Sequence, residues 1–132
     1  MGNNRGTRFG LGHISLSIES AEYWDFHQEH FGMYDVPAYI DHILQVTGQE
    51  QLTYIGHSQG STQLFLGASL NPDYYTPKIN LMVALGPIGS THNMEVPALT
   101  KFADLWPIAE LLIKEAGLFD LYDANWWTEE AQ

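Results

Sequence analysis

The chain has no cysteine. That alone excludes a disulfide scaffold and a thiolate metal site. It leaves the compartment open, because many secreted enzymes lack essential disulfides. Basic residues are nearly as scarce: Arg5, Arg8, Lys78, Lys101 and Lys114 face sixteen carboxylates, and the formal net charge is −11. A surface of that sign repels phosphate backbones, which argues against nucleic acid as a partner, and it offers no basic patch to an anionic membrane. No apolar run reaches the length of a membrane span. The first ten residues are polar and glycine-rich and hold no apolar stretch of the kind a secretory signal needs. Met1-Gly2-Asn3-Asn4-Arg5-Gly6 misses the myristoylation pattern, since position 6 is glycine rather than serine or threonine. No strand pattern follows residue 86, and there is neither an internal repeat nor a low-complexity tract.

What is present is an ordinary globular composition, 45% hydrophobic over 132 residues. That is enough for one domain and one core, yet small for a parallel sheet covered on both faces. Residues 2–12, with four glycines and two arginines, read as loop. His13 to Ile18 alternates, with Ile14, Leu16 and Ile18 on one side, and predicts a short strand or extended segment. Ser20 is placed to cap a helix from Ala21 that carries Tyr23, Trp24, Phe26 and Phe31 and stops near Gly32. Asp35 then reads as the N-cap of a second helix with Pro37 in its first turn. Val36, Ile40, Ile43, Leu44 and Thr47 follow at helical spacing, and Gly48 takes the left-handed C-cap.

Leu52 to Ile55 predicts a buried parallel strand. Gln59 to about Leu70 predicts a helix, stopped by Asn71-Pro72. Ile79 to Leu85 is a second apolar strand. Pro97 to Trp106 and Ile108 to Ala116 read as two amphipathic helices joined at Pro107, with Gly117 ending the second and an aromatic, acidic tail from Phe119 to Trp127. Helix, strand, turn, helix, strand is an α/β order with right-handed crossovers.

Between the first strand and its helix lies Gly56-His57-Ser58-Gln59-Gly60. A G-x-S-x-G match arises by chance in a chain of this length on the order of 5% of the time. Its strand–turn–helix setting lowers that figure further and points to a nucleophile elbow. A serine hydroxyl is a weak nucleophile, so a fold that uses one holds it exposed beside a base and an oxyanion hole. Gly56 and Gly60 are expected to remove Cβ atoms that would clash where strand and helix cross. One oxyanion donor is expected at the backbone N–H of Gln59; the other should come from a loop after an earlier strand, and nothing before residue 13 provides one. The base and acid should follow the serine, acid first. His92 is the single later histidine, and its place so soon after the second strand reads as a solvated loop. Asp73, Glu95, Asp104, Glu110, Asp120 and Asp123 offer acids without singling one out. His57 neighbours the serine but points elsewhere on a sharp turn and is expected to pack beside the elbow or shape the pocket. His27 and His30 share a helix face, but no HExxH pattern or third ligand accompanies them, so no metal is expected.

Taken in order and spacing, Gly2-Asn3-Asn4-Arg5-Gly6, Glu22-Tyr23-Trp24-Asp25-Phe26, Tyr34-Asp35-Val36-Pro37-Ala38, Thr47-Gly48-Gln49-Glu50-Gln51-Leu52, the elbow, and Ala84-Leu85-Gly86-Pro87 resemble the acid lipases of the lysosomal and gastric type. The resemblance covers roughly residues 2–90 and is weaker over 91–132. It implies an α/β class, a partial α/β-hydrolase fold with a parallel sheet and elbow over 1–90, followed by the start of a helical cap over 91–132. It implies Ser58 as nucleophile, Gln59 N–H as an oxyanion donor, no cofactor, and triacylglycerols or steryl esters as substrates. It also implies a lysosomal or secreted setting, and it makes His13 to Ile18 an irregular segment rather than a strand.

Members of that family are much longer. They carry a His-Gly loop upstream and an acid and histidine downstream that this sequence lacks. The chain therefore reads as an internal portion, expected to be poorly soluble and inactive alone because two strands leave sheet edges and apolar faces open. Leu105, Trp106, Ile108, Leu111, Leu112, Phe119, Trp126 and Trp127 suit either plain core packing or a cap that covers an acyl site and meets lipid transiently. No obligate protein partner is indicated. A small-ester esterase and a non-catalytic binding protein with a relic elbow are the competing readings.

Overall fold

The computed structural model describes residues 1–90, 92 and 95–116. They divide into two compact units, Met1–Gly10 with Phe26–Thr91, and Leu11–Asp25 with His92–Gln132. In the first unit the two apolar runs form β1 (Leu52–His57) and β2 (Ile79–Leu85), paired in parallel with Gly56 opposite Ala84 and His57 opposite Leu85. Parallel neighbours need a crossover. It is supplied by α3 (Gln59–Leu70) and the short α4 (Pro72–Tyr75). Asn71 ends α3 as the Asn-Pro pair requires, because the residue before proline is pushed out of the helical region.

β1 is not the fully buried strand that its apolar run predicts. Its alternation turns Leu52, Tyr54 and Gly56 toward the helices and leaves Thr53, Ile55 and His57 exposed, with Ile55 66% accessible. Helices of this unit cover one face of the sheet, and the other remains open at Ile55, Leu81 and Leu85. The open face and edges match the expectation for a two-stranded sheet.

The helical region before β1 differs from the pattern reading in a way that packing explains. Ala21–Trp24 is a single 3-10 turn in the second unit, and the Ser20 hydroxyl donates to Ser17 O instead of capping it. A helical path then runs unbroken through α1 (Gln28–His30), a π-turn (Phe31–Asp35) and α2 (Val36–Thr47). Gly32 does not stop it. A Cβ there would lie 2.7 Å from Gln63 O and Gly67 N of α3, so glycine is needed for a close helix crossing. The Tyr75 hydroxyl donates to Gly32 O beneath that crossing. Pro37 does fall in the first turn of α2, but Asp35 already has helical backbone angles and makes no side-chain cap. Pro37 has no N–H to offer, and the turn before it is wound wider, with Val36 N–H donating to Phe31 O. Gly48 takes the left-handed cap at φ 66°.

Asp35 has another partner. Its carboxylate accepts Arg5 N–H at 2.9 Å and Arg5 Nε–H at 2.8 Å, with Arg5 Nη2 2.7 Å from Oδ1. Tyr39 donates to Asn4 Oδ1 at 2.8 Å. The N-terminal loop is thereby pinned to α2. Burial, then the charge of Asp35, pushes the Tyr39 hydroxyl up to about 12. The core itself is Val36, Ile40, Leu64 and Tyr75, flanked by Leu52, Tyr54 and Met82.

In the second unit His13 to Ile18 is not a strand. His13 Nδ1 accepts the N–H groups of Ser15 and Leu16, which curls the segment, and Ile14 is fully exposed. Pro97–Glu115 is one helix, α5, with Pro107 inside it rather than at a joint. Proline's φ is itself helical, so the loss is confined to one hydrogen bond and one crowded carbonyl. Leu99, Phe102, Leu105, Ile108, Leu111 and Leu112 are all exposed on α5. Gly117, Phe119, Trp126 and Trp127 lie outside the described residues.

Candidate active site

The elbow forms where β1 meets α3. Ser58 N–H donates to Leu85 O at 2.9 Å, extending the ladder by one residue, and Gln59 is already the first residue of α3. The whole change of direction falls on Ser58, which sits at φ 51°, ψ −118° and is alone among the described non-glycine residues in having a positive φ. Such a conformation costs about 1–3 kcal/mol and persists only where the surroundings over-determine it.

Gly56 and Gly60 turn out to play different parts. A Cβ on Gly56 would lie 2.8 Å from Gly60 C, Gly60 O and Ser61 N, so the strand passes directly against the Gly60–Ser61 peptide. A Cβ on Gly60 would meet nothing within 4 Å. The expectation that both glycines avoid a clash therefore holds for Gly56 and fails for Gly60, whose Cα faces open space while its backbone makes the contact. Tyr54 closes the same spot by donating to Gly60 O at 2.8 Å, and burial pushes its hydroxyl up.

Ser58 is half-buried, and among the described residues no group hydrogen-bonds its hydroxyl. Gln59 lies in the first turn of α3, where N–H groups have no intrahelical acceptor and the helix dipole is positive. His57 is exposed on the outer face of β1. His92 belongs to the second unit. Asp120 and Asp123 lie outside the described residues. No described strand precedes Leu52.

Two connections escaped the motif reading. Ser61 Oγ donates to Ser58 O at 2.6 Å and accepts Ile88 N–H at 3.3 Å, and Thr62 Oγ1 donates to Ile88 O at 2.8 Å. The loop after β2, which turns at Gly86 with φ 54°, is thus held to the start of α3. The spacing Ser58-x-x-Ser61 was the available signal, a hydroxyl one turn on from a carbonyl. His27 and His30 cap one another: His27 N–H donates to His30 Nδ1 at 2.8 Å, and the His27 ring accepts in return. Among the described residues no three His, Cys, Asp or Glu side chains gather as metal ligands.

The profile of the family described as alpha/beta hydrolase fold matches residues 3–111. The chain is 42% identical over 104 residues to a probable lipase of Schizosaccharomyces pombe, covering 76% of this chain and 22% of that protein. It is 40% identical over 119 residues to human lipase member M, covering 90% and 26%. It is 39% identical over 115 residues to human lysosomal acid lipase/cholesteryl ester hydrolase, covering 87% and 28%. The chain thus spans roughly a quarter of the length of these curated relatives.

Proposed function

The chain belongs to the alpha/beta hydrolase fold family, and from that membership we propose that it carries the nucleophile segment of a lipase. The substrate class is long-chain carboxylic esters, triacylglycerols or steryl esters. The observation that carries the reading is a serine held at φ 51° between a parallel strand and the helix that follows, its hydroxyl without a hydrogen-bond partner among the described residues. The names of these three relatives, each a lipase and one also a cholesteryl ester hydrolase, support lipid esters as the substrate class.

In this mechanism Ser58 Oγ attacks the ester carbonyl carbon. A histidine takes the Ser58 proton and passes it to the departing alcohol, leaving an acyl-Ser58 that water then hydrolyses by the same proton route. As the carbonyl oxygen gains charge, Gln59 N–H stabilises it from the positive end of α3. The histidine, its carboxylate partner and the second oxyanion donor are not assigned to residues of this chain. No cofactor enters these steps. The likeness to a lysosomal acid lipase supports a lysosomal or secreted setting in this reading, and an apolar cap starting near residue 91 would meet the acyl chain or the lipid surface.

The test is ester hydrolysis by the whole protein over a series of acyl lengths, with Ser58→Ala alongside. Loss of turnover by a factor of ~10³ or more in Ser58→Ala, with preference for long acyl chains at an oil–water interface, is expected. Preference for short soluble esters would move the reading to a small-ester esterase. Turnover that survives Ser58→Ala would remove Ser58 from the chemistry.

A further inference from the structure

Ser58 and Gln59 share one planar peptide unit, so the direction of the Ser58 carbonyl fixes the opposite direction of the Gln59 N–H. One residue holds that carbonyl twice: Ser61 N–H donates to it at 2.9 Å and Ser61 Oγ at 2.6 Å. Ser61 is completely buried. Its hydroxyl also receives Ile88 N–H at 3.3 Å. An amide N–H can only donate and a carbonyl can only accept, so the hydroxyl proton goes to Ser58.

We propose that Ser61 is a positioning residue: its hydroxyl sets the plane of the Ser58–Gln59 peptide and so aims the Gln59 N–H at the oxyanion. This rests on the reading of Ser58 as the nucleophile. The torsion at stake is Ser58 ψ, at −118° part of a strained pair of angles that relaxes unless held. Without the hydroxyl the carbonyl keeps a single donor from Ser61, and the peptide plane is free to swing. A donor that must meet a developing charge loses most of its effect when misaimed. Thr62 provides a built-in contrast. It holds the same Ile88, through Oγ1 to the carbonyl at 2.8 Å, without a side-chain bond to the Ser58–Gln59 peptide.

The experiment measures kcat and KM of the whole protein on a soluble short-acyl ester for Ser61→Ala, Thr62→Val and Ser58→Ala, with rates normalised to folded protein by circular dichroism. Ser61→Ala is expected to lower kcat by ~10- to ~100-fold with KM within about twofold. Thr62→Val is expected to keep both within about twofold. An unchanged kcat in Ser61→Ala, or an equal fall in Thr62→Val, overturns the proposal. Ser58→Ala reports separately: turnover there defeats the nucleophile assignment itself, whereas an inactive Ser58→Ala beside an unimpaired Ser61→Ala defeats only the positioning role.

Discussion

Ser58, Gly56 and Gly60 carry the residue-scale argument, and each responds to a different force. The strain at Ser58 is a matter of backbone angles, the need at Gly56 is steric, and Gly60 meets neither demand. Gly56→Ala is expected to destabilise the fold by about 2–4 kcal/mol, since backbone atoms at 2.8 Å cannot yield as a flexible side chain would. Gly60→Ala is expected to change stability by under ~1 kcal/mol, in either direction, because alanine suits a helix and the space is open. Urea unfolding of the two variants checks this; equal losses would mean that the crossing of β1 and α3 is wider than 2.8 Å contacts allow. The elbow was legible in the sequence because its spacing is a local requirement. Which glycine faces the neighbouring backbone was not legible, since a motif gives residue types without directions.

At the scale of elements, β1, β2, α3, the place of α2 and the Gly48 cap were legible, and the unbroken helical path leading into α2 was not. Gly32, Asp35 and Pro37 are each local reasons for a helix to break. They are overridden by contacts far away in sequence: Gly32 against Gly67, and Asp35 on Arg5. Pattern reading weighs neighbours in sequence and cannot see either partner. Gly32→Ala is therefore expected to lower stability by about 2–4 kcal/mol despite alanine's better helix propensity. A rise in the urea midpoint would show that α3 does not lie against Gly32.

A second tie joins α2 to the turn before β2. Lys78 Nζ lies 2.5 Å from Asp41 Oδ1, and Tyr74 donates to the same oxygen at 2.8 Å. The hydrogen bond from Lys78, then that from Tyr74, holds the Asp41 carboxyl below its ordinary range. A lowered carboxyl stabilises the fold above its unfolded pKa, and that contribution is lost as pH falls through the folded one. Asp41 is largely exposed, so the effect is about 0.5 kcal/mol after solvent screening. Asp41→Asn should flatten the fall in urea midpoint below pH ~4; an unchanged acid limb would mean the pair contributes nothing.

For the molecule as a whole, the open sheet face and the exposed apolar side of α5 coexist with a net charge of −11. Charge composition and an open sheet face were legible at once; which residues of β1 face outward was not, because an apolar run does not say which of its side chains the covering helices meet. Among the described residues, four tyrosines with raised hydroxyls are expected to set the alkaline limit. Burial is the first cause raising Tyr39, Tyr54, Tyr74 and Tyr75, and Tyr39 reaches about 12. A raised hydroxyl contributes stability that is complete below the free-tyrosine value near ~10 and is lost as pH climbs through the folded value. Tyrosinate absorbance from these residues and loss of the circular dichroism signal should rise together above pH ~10. Full ionisation near the free value with the fold intact would contradict the burial. Whether Ser58 is the nucleophile is decided by treating the whole protein with a serine-reactive fluorophosphonate and mapping the adduct by peptide mass spectrometry. One adduct is expected, on Ser58, absent in Ser58→Ala; labelling elsewhere with Ser58 unmodified, or labelling indifferent to Ser58→Ala, would remove Ser58 from the chemistry.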